Sequence, residues 1–148
     1  MPILNGRSVV ITCRGILKDT FTGREATKDS LTITTSFMAV SEDECTISLP
    51  KETPCHSIIA TTRVFAVSYI DDHLKRFIVD NAKHLRDYVD AFEHLNIPKG
   101  ECSAIDSCML TEADICLECE VHKELDIGKA TVFAAKILHT HEKCQKSR

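Results

Sequence analysis

The chain has 148 residues, 43% of them hydrophobic and 27% charged, with a formal net charge of −4. That balance suits one folded domain spanning 1–148 and is too apolar for a disordered chain. Lys and Arg are scattered, no apolar run is long enough to cross a bilayer, and "MPILNGRS" lacks the apolar centre of a signal peptide, so the expectation is a cytoplasmic protein that engages neither nucleic acid nor membrane.

"SVVITC", Ser8 to Cys13, reads as a first strand, and "GILKDTFTGREATKDS" follows it with turn residues and charges. "LTITTSFMAVS", residues 31–41, is a run of strand formers carrying four hydroxyls in five positions: Thr32, Thr34, Thr35 and Ser36. Because a strand alternates its side chains, Thr32, Thr34 and Ser36 are expected on one face and Ile33, Thr35 and Phe37 on the other. "CTISL", residues 45–49, is a short alternating run that Pro50 closes. Thr53 then suits an N-cap with Pro54 at the first helical position, which predicts a short helix, and "VFAVSYI", residues 64–70, returns to strand character.

From Asp71 or Asp72, the residues Leu74, Phe77, Ile78, Ala82, Leu85, Val89, Phe92 and Leu95 recur at steps of three and four. This spacing predicts one helix of some six turns, its charged residues forming a solvated face, stopped by "NIPKG". "ECSAIDSCML" suggests a strand with a turn. "ADICLECEV" (113–121) and "ATVFAAKILHTH" (130–141) read as paired strands joined through Gly128. The order of elements predicts a mainly β, α+β fold, a small antiparallel β-barrel with one long and one short helix covering one end.

Eight cysteines are many for this length, yet the chain is neither small nor marked for export, so reduced, buried thiols are expected. In "CLEC", Cys116 and Cys119 are an odd number of strand positions apart and face opposite ways, which argues against a shared metal or a redox pair. Cys55 beside His56 at a helix start lacks an identifiable orienting group, so no catalytic residue can be assigned. In "HTHEKC", His139 and His141 would share a strand face with Cys144 folding back. A frayed terminus is the simpler reading, and no metal is expected.

Taken in order, these segments resemble the flavin reductase-like family, FMN-binding proteins of the split-barrel fold. The family's strand N-x-M-T-x-S-x-x-x-x-V-S is similar to "DSLTITTSFMAVS", residues 29–41, with Asp29 at the usual Asn. Its R-x-T-x-x-L-I segment is similar to "TPCHSII", residues 53–59, with Cys55 at the usual Thr, and its F-A-V-N-V-L strand to "FAVSYI", residues 65–70, with Ser68 for Asn. D-K-F is matched by "DAF", residues 90–92, with Ala91 for Lys. L-E-C-x-V is matched by "LECEV", residues 117–121, and G-D-H-x-x-F-x-G-x-V by "GKATVFAAKI", residues 128–137, where Ala130 stands at the histidine.

The resemblance implies FMN held in a groove at a homodimer interface. Thr32, Thr34, Thr35 and Ser36 would donate to acceptors on the flavin, Lys51, Thr53 and the N–H groups at the start of the short helix would meet the phosphate, and Cys55 and His56 complete the implied cofactor-binding positions. It implies an oxidoreductase taking electrons from a reduced nicotinamide (NAD(P)H) or a protein donor. The alternative is a non-enzymatic split-barrel dimer that stores flavin or has lost it. The departures at Asp29, Cys55, Ala91 and Ala130 motivate that alternative.

Overall fold

The computed structural model describes residues 4–82 and 90–142. Strands β1 (Val9–Lys18) and β2 (Glu25–Thr34) form a long hairpin. They are followed by β3 (Met38–Ser41), β4 (Glu44–Pro50), helix α1 (Pro54–Thr62), β5 (Val64–Tyr69), α2 (Asp72–Ala82) and α3 (Ala91–Leu95). The short β6 (Lys99–Glu101) and β7 (Cys108–Leu110) come next, then the long β8 (Ile115–Asp126) and β9 (Ala130–Glu142). Seven strands make one antiparallel sheet in the order β2-β1-β5-β8-β9-β4-β3, and β6 pairs with β7 alone.

Helix α1 packs on β1, β2 and β4, which lie towards opposite ends of that order, so the sheet curls around the helix without closing. Inside the curl, Cys55, Ile58 and Ile59 of α1 meet Ile11, Phe65, Leu117 and Phe133 in the larger core. A second core lies on the outer face of β1 and β2, where Val10 and Leu31 pack under Ile78 of α2, Phe92 of α3 and Leu110 of β7. Strand β1 is therefore covered on both faces, which is why "VVITC" is continuously buried instead of alternating, with the one hydroxyl, Thr12, donating to the Cys108 carbonyl. At Gly15 a Cβ would lie 2.8 Å from Cγ2 of Ile58, so the helix seats against bare backbone there.

Three expectations are corrected. The first strand and its partner run further than expected: Gly15–Lys18 pairs with Glu25–Lys28, and the turn is confined to residues 19–24, with Gly23 at φ +74°. The single long helix is interrupted, because Asp90 is extended (φ −75°, ψ 114°) and caps α3 by accepting from the Glu93 N–H. Its other oxygen accepts from the Asp29 N–H at 3.0 Å, so a tertiary contact to β2 competes with helix continuation. Leu85 and Val89, counted on the same stripe, lie outside the described residues, and Phe77 is exposed.

The run 31–41 is likewise two strands, not one. It breaks after Thr34, and Phe37 enters the larger core, on the side to which alternation would have assigned Ser36. Burial of that phenyl ring, worth about 1.5–3 kcal/mol, outweighs the strand hydrogen bonds lost at the corner.

Candidate functional site

The hydroxyl-rich segment forms a corner rather than a flat face. Thr32 and Thr34 lie opposite Ile11 and Val9 on β1, while Thr35 and Ser36 occupy the break between β2 and β3. Ser36 Oγ accepts from the Ser48 N–H at 2.9 Å, donates to the Ser48 carbonyl at 2.9 Å, and lies 2.7 Å from Thr34 Oγ1. With its own proton on Ser48, Ser36 must accept that of Thr34, so its hydroxyl is saturated within the chain. Thr35 is exposed, and among the described residues neither Thr32 nor Thr35 makes a side-chain hydrogen bond.

Ser48 carries the site onward, since two residues later β4 ends at Pro50 beside Ala130 of β9 and the chain turns into α1. Thr53 caps that helix as the sequence predicts: its Oγ1 accepts from the His56 N–H at 3.2 Å and donates to the Pro50 carbonyl at 2.9 Å. No acidic residue stands in the first turn. Lys51 pairs with Asp126 at 2.7 Å. The Lys51 ammonium and the Gly128 N–H hold that carboxyl below the ordinary carboxylate range. His56 Nε2 lies 2.8 Å from Thr131 Oγ1, with its ring 5.5 Å from that of Phe133.

Thr32, Thr34, Thr35, Ser36, Lys51, Thr53 and His56 thus follow one path, from the corner, along the end of β4, to the start of α1. Cys55 is different, because its thiol is fully enclosed in the larger core. Three partners on that path, Ser48, Asp126 and Thr131, carry no signal in the sequence, where each is an ordinary strand or turn residue.

Asp29, at the position where the matching motif carries Asn, points away from this path. Its side chain is 4% exposed and is held by Arg14 Nε at 2.7 Å and by Lys99. Burial pushes this carboxyl up, but the two cations outweigh it and hold it below the ordinary range. Arg14 also reaches Glu101 at 2.6 Å, so the group fastens β6 to the β1–β2 hairpin.

The profile of the flavin reductase like domain matches residues 2–148. The chain belongs to the flavin reductase-like family. Solved members of similar fold include the 2-nitrobenzoate 2-nitroreductase NbaA of Pseudomonas fluorescens, with a TM-score of 0.73, 16% identity, and coverage of 94% of this chain and 66% of that one. The NADH:FAD oxidoreductase SgcE6 of Streptomyces globisporus has a TM-score of 0.71 at 17% identity, covering 96% and 80%. An FMN-binding protein from Thermus thermophilus has a TM-score of 0.73 at 13% identity, covering 91% and 71%. No curated protein matches the chain by sequence. At these identities the likeness is one of fold, and the split-barrel expectation holds. None of the described helices is long and apolar enough to cross a membrane.

Proposed function

We propose that this flavin reductase-like chain binds FMN along the path from the hydroxyl corner to the start of α1 and works as an oxidoreductase. The observation that carries the reading is the Ser36–Ser48 clamp, which ties the corner beside the unpaired Thr35 hydroxyl to the end of β4, from which the chain runs through Lys51 to a helix whose first turn carries no acidic side chain. The donor set fits the group: a flavin ring presents carbonyl and nitrogen acceptors that Thr32 and Thr35 can meet, and its phosphate suits a cation and the N-terminus of α1. When bound, the flavin supplies the hydride or electron transfer.

The chain's own residues hold and orient. Ser36 and Thr34 shape the corner, Thr53 sets the helix start, and His56, fixed against Thr131, presents its imidazole beside the phosphate end. No acid or base among them is needed for hydride entry, in keeping with the lack of a catalytic constellation. Reduced nicotinamide or a protein donor supplies the electrons, and an exposed path this shallow is closed by a second copy of the chain. Exposed Met38 and Val40 on the edge strand β3 supply apolar area for that contact.

The second reading, a flavin holder without turnover, is favoured by Ala130 at the family motif's histidine and by the burial of Cys55. An absorbance spectrum of fresh protein, FMN and FAD titrations, and anaerobic reduction by NADH or NADPH separate the two. Uptake of FMN followed by bleaching with a nicotinamide supports the oxidoreductase. Uptake without bleaching by either nicotinamide supports the holder unless a protein donor reduces the flavin, and no uptake overturns both.

A further inference from the structure

A second polar cluster lies apart from the flavin path, at the far end of the β8–β9 ladder. Cys116 stands opposite His141 and Glu118 opposite His139, which places all four side chains on one face. Glu118 is fully buried, and its oxygens accept from the Ser103 N–H at 2.7 Å, the Ala104 N–H at 2.5 Å and Nε2 of His141 at 2.5 Å. The carboxylate cannot move without stripping two backbone donors, so it fixes the His141 ring by its Nε2 edge.

Such an arrangement leaves Nδ1 of His141 as the nitrogen that meets another group. The exposed ring of His139 packs against the His141 ring in a T-shaped pair, with centroids 4.4 Å apart at 74°. Among the described residues, neither His139 nor Nδ1 of His141 has a hydrogen-bond partner. Two accessible imidazoles in contact, one oriented by a buried carboxylate, have the chemistry of a transition-metal site.

We propose that His139 and His141 bind one divalent transition-metal ion of the cobalt, nickel and zinc class, with Glu118 as a positioning residue and water in the remaining coordination positions. No three side chains among the described residues converge as ligands, so the site is open and exchangeable, unlike a closed structural zinc centre. The proposal does not depend on flavin binding.

The test is titration of the chelator-treated, reduced full chain with Co(II) and Ni(II), followed by calorimetry and by the cobalt absorption spectrum. One ion per chain is expected, with a cobalt spectrum lacking the intense near-ultraviolet band of a thiolate ligand. His139→Ala abolishes saturable binding, Cys144→Ser leaves it unchanged, and Glu118→Gln weakens it about tenfold. The His139 side chain is exposed and makes no hydrogen bond among the described residues, so its replacement carries the test even where the Glu118 variant fails to fold. Absence of stoichiometric uptake, a thiolate band, loss of binding in Cys144→Ser, or unchanged affinity in His139→Ala overturns the proposal.

Discussion

Ser36 is the side chain on which the proposed flavin path turns. Replacing it by Ala leaves the Ser48 N–H and carbonyl without their partner and frees the Thr34 hydroxyl, at an expected cost of about 1–3 kcal/mol. Urea unfolding checks the loss. Ser36→Thr is expected to restore part of it, whereas Thr35→Val is expected to lower FMN affinity with little effect on stability. Asp29 gives a second prediction at this scale. Its folded-state acidity is greater than that of the unfolded chain, so its contribution to stability is complete above the unfolded carboxylate range and disappears as pH falls below about 4. Glu118 acts in the same direction, because His141 and two backbone N–H groups outweigh the burial that would raise it. A stability profile from pH 7 to pH 3 is therefore expected to fall at its acid end, and Asp29→Asn to flatten that fall while lowering stability at pH 7 by about 1–3 kcal/mol.

Among the elements, α1 has the most consequences, because it fills the curl of the sheet with one face and its N-terminus is the proposed phosphate end of the path. Gly15→Ala sets a methyl 2.8 Å from Ile58 in a packed core, so either the helix or β1 must shift. The expected loss is about 1–3 kcal/mol, read as a lower thermal midpoint. Thr53→Ala removes the cap of the same helix and is expected to cost about 1 kcal/mol without disturbing the core. A larger fall in FMN affinity for Thr53→Ala than for Gly15→Ala places the ligand at the helix start; the reverse order moves it elsewhere. The α2–α3 region shows the opposite case, where periodicity over 71–95 suggested one helix and the Asp90 cap, shared with β2, made two.

For the whole molecule, the two cores divide the thiols. Cys13, Cys45, Cys55 and Cys119 sit in the larger core, with the sulfurs of Cys45 and Cys119 3.8 Å apart, and Cys108 lies in the outer one. All seven described cysteines are free. Burial pushes the Cys116 thiol up to about 11 and also raises that of Cys13, which suppresses thiolate at neutral pH. A thiol reagent is therefore expected to react slowly with the native protein, and with all eight sites in denaturant. Light scattering tests the second copy that the flavin path calls for. A dimer mass that persists on dilution fits it, and a monomer at every concentration removes the closed groove.

How much was legible depended on whether the signal was local. The β4 run, the Thr53–Pro54 helix start, the β5 strand and the Gly128 hairpin follow from turn chemistry and alternation, which neighbouring residues decide among themselves. The order of the family's motifs carried the fold for the same reason, since each motif is read along the chain. The proposed flavin path was only half visible: Thr32 to Ser36 and Lys51 to His56 could be named, but not that Ser36 is spent on Ser48 or that Cys55 faces the core. Those outcomes, like the burial of Asp29 between Arg14 and Lys99, join residues 12, 15 and 70 positions apart or more. The sequence by itself determined most of the strands, the start of α1 and the residue types available to a flavin; only the tertiary structure decided where the 31–41 run and the 71–95 stripe break and which hydroxyls are free, because burial and hydrogen bonds across the sheet compete with local preference for the same side chains, lone pairs and protons.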